Sequence, residues 1–94
     1  MELTIHSNLY MYIPSSFVIS EGLEEFYFAK FSLREGYLYI NFNRGGEKIH
    51  RDHNSRKIYV YNFFKRYNIK LPMTFKAKAI KYGKNKYKIW INVN

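Results

Sequence analysis

Apolar and polar residues alternate with a period of two along much of this chain, the pattern of half-buried β-strands. Leu9 to Ile13 predicts a first strand, and Pro14 ends it. Ser15-Ser16 followed by FVISEGL predicts a short helix with Gly22 near its C-terminal end. Alternation resumes from Phe26 to Leu33 and, beyond Glu35-Gly36, from Tyr37 to Phe42. Pairing Arg34 with Tyr37 leaves a two-residue turn whose glycine takes positive φ. That register puts Tyr27, Ala29, Phe31 and Leu33 on one face with Leu38, Ile40 and Phe42, so both strands agree on which side is inside. Phe26, Phe28, Tyr37 and Tyr39 then point outward, an apolar surface that needs cover from the rest of the chain or from a second chain.

The C-terminal part follows the same order. Lys57–Tyr61 predicts a strand, Asn62 an N-cap, and FFKRYNI about two helical turns. Pro72 breaks the chain before a strand over Thr74–Lys81, and a turn at Gly83-Lys84-Asn85 leads into Lys86–Val93. With Tyr82 opposite Lys86, Phe75, Ala77 and Ala79 face Ile89, Ile91 and Val93 on the inner side. The outer side carries Lys76, Lys78, Lys86, Lys88, Trp90 and Asn92. Between the two parts, residues 44–56 are polar, contain Gly45-Gly46 and show little periodicity, which predicts a linker or long loop.

Residues 9–43 and 57–94 therefore both read strand, short helix, hairpin. A shift of 48 aligns Leu23 with Leu71, Ala29 with Ala77 and Lys30 with Lys78, and after a difference in hairpin-loop length YINFN meets WINVN. The expected fold is a single β-rich α+β domain of 94 residues. About seven strands and two short helices would form a small barrel or sheet from two similar units, or a meander of unrelated halves.

A strand ending in Tyr12-Ile13-Pro14, a short helix ending in Gly22-Leu23 and the hairpin Phe26–Phe42 together resemble the AbrB-type swapped-hairpin unit. The related cradle-loop and double-psi barrels are similar. The resemblance implies two interlocked units forming a small DNA-binding barrel, here as a tandem pseudo-dimer. The chain departs from the pattern at Glu24-Glu25, where the family has Gly-Asp, and at Asn62, where the second copy lacks the proline. The family's DNA face lies near the first strand and helix. That region is acidic in the first copy, so a transferred face would come from the second.

Composition narrows the chemistry. The absence of cysteine removes disulfides, thiolate metal sites and cysteine nucleophiles. Hydrophobic residues at 47% exclude wholesale disorder. No apolar run reaches the ~20 residues of a membrane span, and MELTIHSNLY lacks the order of a signal peptide, so a cytoplasmic protein is expected. The formal charge of +9 is segregated: residues 1–43 sum to −3 and residues 44–94 to +12. The Lys/Asn/Tyr/Ile bias is that of an AT-rich genome, such as a virus or plasmid carries. Such a bias explains many lysines but not their segregation, which points to a polyanionic partner.

The candidate nucleic-acid ligands are the outward Lys76, Lys78, Lys86, Lys88, Trp90 and Asn92 of the last hairpin, with Arg44, Lys48, Arg51, Arg56 and Lys57 around Gly45-Gly46. Lysines on a two-stranded ribbon suit phosphates or a major groove, and Trp90 suits stacking on a base. A basic loop with glycines presents N–H groups and guanidinium forks to phosphate. The competing readings are a solvated face whose lysines deter edge pairing, and a solvated linker. His50 and His53, with Asp52 between them and His6 elsewhere, fit polar loop residues better than a metal-dependent nuclease centre. No catalytic motif is present, and neither a catalytic residue nor a cofactor is expected. The reading is a small DNA-binding regulator of transcription, with DNA favoured over RNA and a homodimer through the aromatic first unit permitted. The alternative is a viral or plasmid-encoded protein that inhibits a host nucleic-acid-processing system.

Overall fold

A computed structural model describes residues 2–43 and 45–91. It is a β-rich, nearly closed small barrel with two one-and-a-half-turn helices. In chain order the elements are β1 (Glu2–His6), β2 (Tyr10–Ile13), α1 (Ser15–Ser20), β3 (Phe28–Arg34), β4 (Tyr37–Asn43), β5 (Glu47–Asp52), β6 (Ser55–Tyr59), α2 (Tyr61–Arg66), β7 (Thr74–Lys78), β8 (Ile80–Gly83) and β9 (Lys86–Trp90). The strand order is β7-β1-β2-β6-β5-β3-β4-β9-β8, and every pairing is antiparallel.

The period-two alternation holds within the strands, but just before β3 it is corrected: Tyr27, expected inward, is 60% exposed, and Phe26, expected outward, packs against the core. Leu3 and Ile5, Met11 and Ile13, Leu38 with Ile40 and Phe42, and Tyr87 with Ile89 all turn inward and are buried. Pro14 precedes α1, which inserts Phe17 and Val18 into the interior, while α2 inserts Phe63 and Phe64. Phe17 meets Tyr87 edge-on at 5.0 Å and Phe63 meets Phe31 at 5.8 Å, so both helices close on the same core. The β3–β4 register is Arg34↔Tyr37, Leu33↔Leu38 and on to Phe28↔Asn43, as the turn chemistry at Glu35-Gly36 requires.

Four further expectations are corrected. The stretch 44–56 is not a linker: its described residues include β5 and the start of β6, joined by a tight turn at His53-Asn54. Each of these strands needs only one large apolar residue, Ile49 or Ile58, so alternation is faint. Gly46 (φ +112) is there because β5 must approach β3; a Cβ on it would lie 2.3 Å from the Ala29 carbonyl oxygen.

The segment Thr74–Lys81 is not one arm of a hairpin. It changes neighbours at Ala79: β7 pairs with β1, with Lys76 opposite Thr4 and Lys78 opposite Glu2, while β8 pairs with β9. A strand that turns a corner in this way joins the two ends of the sheet, which is how a small barrel closes. Where β8 and β9 do pair, Ile80 lies opposite Lys88 and Lys81 opposite Tyr87; a bulge between Lys81 and Gly83 then puts Gly83 opposite Lys86, where Tyr82 was expected.

Among the described residues there are nine strands rather than about seven; β1, β5 and the β7–β8 division are the ones that the alternation does not give. Asn62 is not an N-cap: it lies inside α2, and Val60 precedes the helix without a side-chain cap.

Candidate nucleic-acid interface

On the outer side of the wall β3–β4–β9–β8, the pairing registers set side chains in three rows. Arg34, Tyr37 and Trp90 form one, and Ser32, Tyr39, Lys88 and Ile80 the next. Lys30, Asn41 and Lys86 form the third. On β3, β4 and β9 the residues between these positions point inward toward the core, so the period of the strands delivers the whole set to one surface.

The rings and cations hold one another in place. Tyr37 meets Trp90 at 4.9 Å and Tyr39 meets Tyr82 at 5.2 Å, both edge-on. The Lys88 ammonium sits 4.5 Å from the Tyr37 ring centre and 5.8 Å from that of Tyr39, while the Arg34 guanidinium lies 4.4 Å over Tyr39. Contacts of this kind contribute about 0.5–1 kcal/mol each at exposed positions. Trp90 nevertheless keeps 49% of its surface exposed and Tyr82 44%. Behind the indole lies Gly36 (φ +84), where a Cβ would come within 2.6 Å of the ring. Burial pushes the Tyr82 phenol above its usual pKa, helped by Tyr39 and opposed by Arg34, so it is a neutral hydroxyl at physiological pH.

Charge on the strands of this wall has one sign, with Glu35 in the β3–β4 turn at its edge. The strands β3, β4, β8 and β9 carry Lys30, Arg34, Lys81, Lys86 and Lys88 and not one Asp or Glu. Lys81 turns away from the outer rows and pairs with Glu21, at the end of α1, at 3.0 Å. The Tyr87 hydroxyl donates to the same carboxyl oxygen at 2.6 Å. The Tyr87 bond and then Lys81 hold the Glu21 carboxyl below its usual pKa, and desolvation raises that of Tyr87 well above its own.

The anticipated ligands are scattered by comparison. Lys86, Lys88 and Trp90 lie on the wall; Arg44 and Asn92 lie outside the described residues. Lys76 and Lys78 are exposed on β7, beside β1. Lys48 is exposed next to Phe28. Lys57 reaches over the Tyr10 ring at 5.0 Å. Arg51 lies 5.7 Å from the Tyr27 ring centre and donates to the Glu24 carbonyl at 3.4 Å. Arg56 is corrected: it is 6% exposed and turned inward, its Nη1 donating to the Asn54 and Ser55 carbonyls at 3.3 and 3.0 Å. Its Nε is buried without a partner, so it is not available to phosphate.

Lys30, Arg34, Tyr37, Tyr39 and Tyr82 were not foreseen as ligands. The alternation had placed Tyr37 and Tyr39 outward, and the cover they need comes from β9 of the same chain. Elsewhere, a hollow of about 430 Å³ is lined by Glu25, Phe26, Tyr27, Phe28 and Asn43. Among the described residues, no three His, Asp or Glu side chains converge to hold a metal ion. No helix among them is long and apolar enough to cross a membrane. Comparison with protein-family models, with curated proteins and with solved structures finds no match for the chain.

Proposed function

We propose that the protein binds nucleic acid, with DNA as the expected polyanion, on the outer wall β3–β4–β9–β8. The observation that carries this reading is a four-stranded surface whose outer rows hold four cations, Lys30, Arg34, Lys86 and Lys88, interleaved with tyrosine and tryptophan, and whose strands carry no carboxylate. One-signed charge raises the local concentration of a polyanion and steers its approach, while aromatic side chains add contact that salt does not screen. A role in regulating transcription is the cellular activity to which this reading extends, and the AbrB-type resemblance points the same way.

Fluorescence anisotropy with labelled DNA at several salt concentrations tests it. If four cations contact phosphate, the logarithm of the binding constant falls against log salt with a slope of about −4 for duplex and about −3 for a single strand. Absence of binding at low salt overturns the reading. It would turn attention to an acidic protein partner, the inhibitor alternative.

A further inference from the structure

We infer that the occupant of this wall is an unpaired strand, whose bases stack on the exposed rings of Trp90 and Tyr82 while its phosphates follow Arg34, Lys86 and Lys88. The inference rests on the nucleic-acid reading above and goes beyond it by choosing single-stranded over duplex substrate.

The topology excludes the major-groove mode, one of the two that the sequence suggested. A two-stranded ribbon can enter a major groove about 12 Å wide. The hairpin β8–β9 is not such a ribbon, because β9 is an interior strand, paired on its other side with β4, and β4 is paired with β3. Four strands at ~4.8 Å spacing place the outer two about 14 Å apart before side chains are added. The wall is too broad for the groove.

What it presents is suited to bases. Lys88 and Arg34 lie over tyrosine rings rather than reaching out from the surface, so the cations sit level with the aromatics. Trp90 has the Gly36 backbone on one side and Tyr37 at its edge, and half of its surface is left open. A ring already braced loses little freedom when a base stacks on it. Tyr82, on the bulge of β8, offers a second open ring at the other side of the Tyr37–Lys88–Tyr39 cluster. Stacking of this kind requires unpaired bases, since those of a duplex are already stacked on one another.

The chain has one tryptophan, so its fluorescence reports on Trp90 alone. Titration of the folded protein with a 15-mer of dT, the same length of rU, and a dT·dA duplex separates the cases. The expected result is quenching by the single strands and affinity for them at least ~10-fold above the duplex. Stacking of ~1–3 kcal/mol per base corresponds to a loss of about 5- to 150-fold for single strands in Trp90→Ala, read by anisotropy of labelled strands because this variant has no tryptophan. Trp90→Phe should restore most of it, and duplex affinity should not move in either variant. Tyr82→Ala gives an independent reading should Trp90→Ala lower stability.

Equal or tighter duplex binding without quenching overturns this inference and leaves the nucleic-acid reading standing. Absence of binding to all three probes overturns both.

Discussion

The barrel has a second aromatic wall, across β1, β2, β6 and β5, and the two differ in charge rather than in rings. On the second wall Tyr10 meets Tyr59 at 4.9 Å, Tyr59 stacks on Tyr61 at 5.7 Å and 14°, and His6 meets Tyr12 at 4.9 Å. Lys57 lies over Tyr10, as Lys88 lies over Tyr37 on the first wall. Its strands, however, also carry Glu2, Glu47 and Asp52, whereas β3, β4, β8 and β9 carry no acid. Tyrosine alternating with lysine is thus a general way for this small barrel to cover its outer surface. Only where carboxylates are missing from the strands does the same pattern leave charge of one sign, the kind of field that would attract a polyanion.

Charge reversal gives the largest expected effect and the most direct way to break the comparison. Replacing Lys30, Arg34, Lys86 and Lys88 by Glu should reduce affinity for a DNA single strand by about a hundredfold or more at moderate salt, and flatten the salt dependence. Replacing Lys48, Lys57, Lys76 and Lys78 by Glu changes the charge by the same amount on the other side. It should cost about tenfold or less. Similar losses in both variants, measured by anisotropy on protein with unchanged circular dichroism, would mean that net charge alone binds and that the walls are equivalent.

A change that alters no charge sharpens the test. Gly36→Ala puts a methyl group 2.6 Å from the Trp90 ring at a position of positive φ. The ring must move, and the turn is strained by about 1 kcal/mol. Trp90 emission should shift and single-strand affinity should fall several-fold, approaching the loss expected for Trp90→Ala. The paired change on the second wall, Tyr59→Ala, should leave affinity within about twofold, since the strands of that wall also carry Glu2, Glu47 and Asp52, which repel a polyanion. An effect of Tyr59→Ala as large as that of Gly36→Ala would place the site on the wrong wall.

The next smaller effect concerns Arg56, which belongs to the second wall's strands but faces the interior. Among the described residues no carboxylate lies within 4.0 Å of it, so two carbonyl hydrogen bonds are what offsets the desolvation of its charge. Breaking its two bonds frees turn carbonyls at the exposed Asn54 and the half-buried Ser55. Arg56→Met should therefore keep stability within about 1 kcal/mol or raise it, with nucleic-acid affinity unchanged. A large loss of affinity would return Arg56 to the list of phosphate ligands.

How far these walls were legible in the sequence depends on the range of the interaction involved. The Arg34–Tyr37 register could be read because a two-residue turn with glycine fixes it locally. The inward positions from Leu38 to Phe42 follow from period alone. By contrast, Lys76-Ala77-Lys78-Ala79-Ile80 alternates without interruption through the point where the strand changes neighbours. Period two describes the faces of a strand and carries no information on which strand lies beside it. The wall was hidden for the same reason. Lys30 and Arg34 sit in the half of the chain that sums to −3, and only the non-local pairing of β4 with β9 sets them beside Lys86 and Lys88. Segregation along the sequence marked the existence of a basic surface but misplaced its boundary. Arg56 was misread because alternation with Ile58 puts it on the inner face, while residue type argues for the outside.

The smallest expected effect lies beneath the first wall, at the carboxylate that the outer surface lacks. Glu21 accepts from Tyr87 and pairs with Lys81, so the barrel keeps this acid on the α1 side, away from the rows that carry Trp90. Its folded pKa lies below the usual glutamate value of about 4.3. A depressed carboxylate contributes stability that is fully present above the unfolded value and is lost as pH falls through the folded one. Wild type should therefore melt higher than Glu21→Gln at pH 7, with the gap closing as pH falls below the usual glutamate value and through the lowered folded one. Because both proteins share every other carboxylate, the closing gap isolates this one. Single-strand affinity at pH 7 should stay within about twofold in Glu21→Gln, since the charge removed is one screened group off the binding face. A melting gap that persists at low pH would mean that Glu21 acts through packing rather than charge. A large gain in affinity would mean that its field reaches the outer rows, and that the one-signed character of the wall is weaker than its strands suggest.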